Sequence, residues 1–204
     1  LSLCNKNMEK METTKITDKN DLLADVCMAA KYEGESLNTY SAQYDAEYSS
    51  GSGFTLCTML ARSFADIGVI VRGRDLYSGN TKEKNRRKQL EENLKTILKQ
   101  IHSDMTSSGR RSGKKSALKT RYQHDAPDYY QLREDWWSAN RETVWKAITC
   151  SADKGNAYFR TTCSDGKSQS QANHQCRCNN DQPNADEPNT DPPTYFDYVP
   201  QFLR

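Results

Sequence analysis

Apolar side chains recur at helical spacing in four stretches of this chain. Over residues 20–33, Leu23, Val26, Cys27 and Ala30 share a face, with Asn20 placed to cap the start and Gly34 to stop it. Residues 34–53 then turn rich in Ser, Gly and Tyr and read as a loop. A second helix is predicted over 54–77, where Leu56, Leu60, Phe64, Ile67 and Val71 form one stripe that Gly73 loosens at its end. A third covers 83–105 and gathers Leu90, Leu94, Ile97, Leu98 and Ile101 on one side, with Glu91 and Lys95 as a one-turn ion pair on the other.

The fourth helix begins near Asp128, just after Pro127, and runs through LREDWWSANRETVWKAITC at 132–150. Leu132, Trp136, Ala139, Thr143, Ala147 and Cys150 fall along one stripe. Trp137, Val144, Trp145 and Ile148 make a second, about 100° around the axis. Arg133, Glu134, Ser138, Arg141 and Glu142 are left for a polar face. Two apolar stripes describe a helix wedged between neighbours. The tryptophans Trp136, Trp137 and Trp145 are therefore expected in the core with Leu60 and Phe64, and not as an aromatic platform for a ligand.

Beyond Cys150 the helical period is lost. Residues 151–193 are poor in aliphatics and rich in Asn, Asp, Pro and Ser, so cysteines have to pin what a core does not. Residues 194–204, TYFDYVPQFLR, are apolar and aromatic again and read as the start of another element that is cut off. The expected architecture is all-α, a disulfide-stapled helical bundle with long irregular loops. It divides into a helical subdomain at 1–150, a cysteine-rich irregular connection at 151–193, and the start of a following helical subdomain at 194–204.

Composition sharpens this picture. A mean hydropathy of −0.96 suggests disorder, but a net charge of only +2 and 9% aromatic residues argue for a folded body. Seven cysteines, Cys4, Cys27, Cys57, Cys150, Cys163, Cys176 and Cys178, lie wide apart without a C-x-x-C motif. That usage points to disulfides in an oxidising compartment. Cys57 opens the second helix and Cys150 closes the fourth, so a Cys57–Cys150 bridge is expected; closing so long a loop contributes about 4–5 kcal/mol. Cys4–Cys27 is a weaker pairing, and two of Cys163, Cys176 and Cys178 are expected to pair locally. Cys163, His174, Cys176 and Cys178 also supply zinc-type ligands, but Cys-x-Cys is not a knuckle spacing and bridges are preferred, so no metal is expected. No apolar run approaches the ~20 residues that cross a bilayer. An oxidised chain without an export signal, carrying an odd cysteine, reads as an excised fragment.

Charge is the strongest functional signal that the residues offer. From Lys82 to Arg121 there are 13 Lys/Arg against 4 Asp/Glu, or +9, leaving −7 for the rest. Lys84, Arg86, Arg87 and Lys88 cluster on the first turns of the third helix, where the helix dipole disfavours cations. Arg110, Arg111, Lys114 and Lys115 follow in a loop with small residues. Several cations along an extended face suit a sulfated glycan, because affinity there is the sum of many small terms. A solvated helix face and a plain charged loop are the alternative reading. Nucleic acid is disfavoured: no recognition motif or aromatic interleaving accompanies the patch. Enzyme chemistry has little to stand on, since His102, His124 and His174 lie beside no nucleophile elbow or carboxylate pair, and no cofactor motif is present.

Three segments carry a specific resemblance: CTMLARSFADIGVIVRGRDLY, LREDWWSANRETVWKAITC and PTYFDYVPQFLR, supported by LCNKNMEKM and DLLADVCMAAKYEGES. In this order and spacing they resemble a Duffy-binding-like domain, alpha class, of the Plasmodium falciparum erythrocyte membrane protein 1 family. Val69 departs from the pattern, which usually has an acidic residue after ADIG. The resemblance implies that the chain is partial, lacking an upstream cysteine-bearing segment and a downstream helix pair, either of which can hold the odd cysteine's partner, including that of Cys4. It implies an adhesion module on the extracellular face of the infected red cell, attached to the membrane only through its parent protein. The implied partners are host receptors, above all red-cell glycans, blood-group sugars or heparan sulfate, engaged in cytoadherence or rosetting. A scaffold whose receptor contacts lie in flanking parts is the second expectation.

Overall fold

The computed structural model describes residues 6–9, 19–48, 54–75, 80–106, 120–164, 169–178 and 191–203. Its helices are α1 (Lys6–Glu9), α2 (Lys19–Tyr48), α3 (Phe54–Val71), α4 (Thr81–Thr106) and α5 (Tyr130–Ile148). A two-stranded antiparallel hairpin, β1 (Thr161–Ser164) with β2 (Gln169–Gln171), and two 3-10 turns at Phe196–Tyr198 and Gln201–Leu203 complete the described chain. α5 packs chiefly on α2 and also on α3, while α3 receives the first 3-10 turn.

Phe64 stands at the centre. Its ring lies 5.2 Å from those of both Trp137 and Trp145, edge-on to the latter. Leu60, Trp136, Trp137 and Trp145 are buried with it, as are Leu90, Leu94, Ile97, Leu98 and Ile101 of α4. Helix ends are set locally. The Asn80 side chain accepts from the Glu83 amide at 3.0 Å and caps α4. Gly73, at φ 68°, closes α3: its amide donates to the Ile70 carbonyl and that of Arg74 to Val69, the paired bonds of a Schellman motif. Asp125 reaches forward to accept from the Gln131 and Leu132 amides at 2.8 Å, anchoring the start of α5.

Four expectations need correction. The first helix does not stop at Gly34 but runs on to Tyr48. Gly34 sits there because α2 presses on the end of α5; a Cβ would lie 2.0 Å from the Ile148 carbonyl oxygen. Polar bonds flank the glycine: Ser63 Oγ donates to Glu33 just before it at 2.7 Å, and Asn38 Nδ2, beyond it, donates to the Ser151 carbonyl at 2.8 Å. The second helix ends at Val71, short of Tyr77. On α5, Arg133 and Arg141 are buried, while Ala139, Thr143 and Cys150 of the first stripe face solvent. Lastly, Cys57 pairs with Cys176 and not with Cys150. Cys57 is sunk in the core, Cys150 lies exposed in the turn after α5, and the connection folds back to deliver a buried Cys176.

Cys163 of β1 pairs with Cys178, beyond the hairpin, so the cysteines weighed as metal ligands are taken up in bridges. Among the described residues Cys27 and Cys150 are unbridged; burial pushes the Cys27 thiol pKa up. Cys4 lies outside the described residues.

The Gly34 contact is testable. Gly34→Ala gains up to about 1 kcal/mol of helix propensity but sets a methyl group against a backbone carbonyl that cannot rotate away. Overpacking of this kind costs about 1–3 kcal/mol, so a lowered denaturation midpoint is expected, and a raised one would show that α2 and α5 are not in contact there.

Candidate receptor-binding face

The cations picked out on α4 do not form one patch. Lys84 and Lys88, one turn apart, share an exposed side, and Lys88 stands 3.9 Å from Glu92. Arg86 lies roughly opposite on the helix and pairs with Glu83 at 3.4 Å. Arg87 turns inward to ion-pair with Asp75; burial lowers its pKa, against the opposing fields of Asp66 and Glu9. Arg110, Arg111, Lys114 and Lys115 lie outside the described residues. On α4, seven Lys/Arg stand against four Asp/Glu, a balance of +3. Residues 107–119 contribute five Lys/Arg and no acid, more than half of the local excess.

On α3 and α5 the structure arranges charges that hydrophobic periodicity did not reveal. Asp197 is wholly buried, and its carboxylate accepts from Trp137 Nε1 at 2.9 Å and from Arg141 Nε and Nη2 at 3.0 and 2.9 Å. Arg72 donates to the Asp197 carbonyl, and Arg141 also donates to the Thr194 carbonyl at 2.8 Å. This clasp ties the last described segment to α3 and α5. One signal for it stood in the sequence: Arg133, Trp137, Arg141, Val144 and Ile148 share a single helical face.

A second network lies at the start of α5. Arg121 grips Asp135 with two bonds of 2.6 and 2.7 Å, Tyr122 donates to it at 2.8 Å, and Gln131 Nε2 at 3.2 Å. The Arg121 bonds lead in holding the Asp135 carboxyl below its ordinary range, outweighing its desolvation. Burial, then the bond to Asp135, pushes Tyr122 up to about 12. Since the folded pKa of Asp135 is depressed, its contribution is present above the unfolded value of about 3.9 and fades as pH falls through the lower folded value. Asp135→Asn should therefore be less stable than the parent near neutrality, with the gap closing on acidification below about pH 4. Melting curves across that range read it, and a gap independent of pH would contradict the assignment.

Two clefts flank the end of α3. One of about 360 Å³ lies between it and the first turns of α4, with Asp75, Arg87, Lys88 and Lys95 in its wall. The other, of about 610 Å³, lies between the end of α3 and residues 197–201. No described helix is long and apolar enough to cross a membrane.

A family model described as the Duffy binding domain matches residues 1–204. Among solved structures, the NTS-DBL1(alpha-1) domain of Plasmodium falciparum PfEMP1 from the varO strain is 37% identical, with a TM-score of 0.72 over 98% of this chain and 39% of its own. The varO N-terminal NTS-DBL1-alpha and CIDR-gamma double domain is 38% identical, with a TM-score of 0.64 over 90% of this chain and 23% of its own. The ICAM-1-binding PfEMP1 IT4var13 DBLbeta domain is 28% identical, with a TM-score of 0.52 over 71% of this chain and 31% of its own. The chain thus spans about two fifths, or less, of each of these chains. No curated protein sequence matches it.

Proposed function

The chain belongs to the Duffy binding domain family, in the alpha class of PfEMP1, and on that premise we propose that it is a cell-adhesion module for host cell-surface receptors. The receptors it suits are anionic glycans of the heparan sulfate kind, with red-cell adhesion or rosetting as the outcome. The observation that carries this reading is cationic charge: Lys84 and Lys88 on one exposed side of the first turns of α4 and, in the sequence, residues 107–119 with five cations and no acid. Each cation contributes little, and the summed field steers and holds a polyanion. In this reading 1–150 is the helical subdomain, 151–193 its cysteine-rich connection and 194–204 the opening of the next subdomain. The module acts on the outer face of the infected red cell within a larger membrane-anchored protein.

Scaffolding is the second reading, favoured by one observation: Arg86 and Arg87 are already ion-paired within the domain. A heparin column separates the two. A variant with Lys84, Lys88, Arg110, Arg111, Lys114 and Lys115 changed to Ser should elute at clearly lower salt than the parent. Equal elution would leave the scaffold reading standing.

A further inference from the structure

The two clefts at the end of α3 meet. Gly73 and Tyr130 line both, and Tyr130 is 51% exposed. On the side of the larger cleft, Arg72 and Arg74 share one carboxylate: Arg74 Nε lies 2.6 Å from Glu134 Oε1 and Arg72 Nη1 3.4 Å from Oε2. Two guanidiniums on one acid leave a positive excess there, and the Arg74 side chain is 60% exposed. The Asp197 carboxylate does not cancel it, being taken up by Arg141 and Trp137.

Beneath the junction lies Arg133, wholly buried. Its Nη2 donates to Glu91 at 2.9 Å, but Nε and Nη1 have no acceptor among the described residues. Nη1 sits so close under Gly73 that a Cβ on that residue would come within 1.7 Å of it. Buried donors on a charged group are costly to leave unmade and call for a partner. The glycine thus thins the wall over a half-satisfied guanidinium, at the point where two clefts and the exposed Arg74 meet.

We propose that the joined clefts bind an acidic saccharide unit, with its sulfate or carboxylate at Gly73 beside Arg74 and above Arg133, and its ring against Tyr130. This rests on the glycan reading above and gives it a specific seat away from the charged loop. The volumes suit a sugar residue and its neighbour, since small-ligand sites span roughly 300–1,000 Å³; a bare inorganic anion leaves most of that space unfilled. Tyr130 supplies an apolar ring face, and the arginines supply charge-assisted bonds.

The test measures binding of two probes, a heparin tetrasaccharide and 3′-sialyllactose, to the full chain and two variants. Arg74→Ser with Tyr130→Ala alters only exposed side chains, and an unchanged melting temperature checks that the variant folds. The other variant changes Arg110, Arg111, Lys114 and Lys115 to Ser. The proposal expects the cleft variant to lose about tenfold or more on whichever probe binds, a loss that remains at high salt. The loop variant should lose less, through its salt dependence alone. The probe that binds identifies a sulfated or a sialylated source. An unchanged cleft variant beside a weakened loop variant overturns the seat and leaves the glycan reading intact. A parent that binds neither probe overturns both.

Discussion

Asp197→Ala should destabilise the chain by about 3–5 kcal/mol, the scale of a buried ion pair broken on one side. The carboxylate is inaccessible to solvent and accepts three bonds, two from Arg141 and one from Trp137. Removing it strands the Arg141 guanidinium, which is itself buried, beside the Phe64 ring at 5.8 Å. It also frees the indole N–H of the tryptophan at the centre of the core. The Trp137 fluorescence environment and the denaturation midpoint should therefore move together. Replacing both partners, Asp197→Leu with Arg141→Met, should cost much less than the single change, because no charge is then left uncompensated. A single variant within about 0.5 kcal/mol of the parent would mean that the clasp does not hold residues 194–203 on the helices.

The second large effect is loss of the Cys57–Cys176 bridge. It spans 119 residues, whereas Cys163–Cys178 spans 15. On the chain-entropy account the longer loop contributes about 4–5 kcal/mol and the shorter about 3. Cys57→Ser with Cys176→Ser should thus be the more damaging pair, and should release the 151–178 connection from α3. Urea midpoints of the two double variants rank them. Equal losses would show that loop length does not govern their contributions. Cys150→Ser, changing an exposed unbridged thiol, should leave stability near the parent value, which also separates this pairing from a Cys57–Cys150 bridge.

The helices with a continuous apolar stripe were legible from periodicity. Leu56 to Val71 and Leu90 to Ile101 are buried along the faces that spacing predicts. Legibility failed where polar groups do structural work. Glu33 and Asn38 hold α2 on either side of Gly34 through side-chain bonds to Ser63 and to the Ser151 carbonyl, a pattern without hydrophobic period. Gly34 itself reads as a stop because glycine weakens an isolated helix, yet here it permits contact with the Ile148 carbonyl. Arg133 and Arg141 were assigned to solvent by residue type, although they fall on the same face as Trp137, Val144 and Ile148. Their partners, Glu91 and Asp197, lie 42 and 56 residues away, beyond the reach of any local pattern. The basic cluster was legible as charge but not as arrangement, since the turn of α4 sends Arg87 to Asp75 and leaves Lys84 and Lys88 outward.

The proposed function has this domain adhere through its cations to an acidic glycan. Binding of the full chain to immobilised heparan sulfate, followed from low to high ionic strength with neutral dextran as control, tests it most directly. The account predicts affinity that falls steadily with salt and no retention on dextran. Binding indifferent to salt, or equal on the neutral polymer, would contradict it.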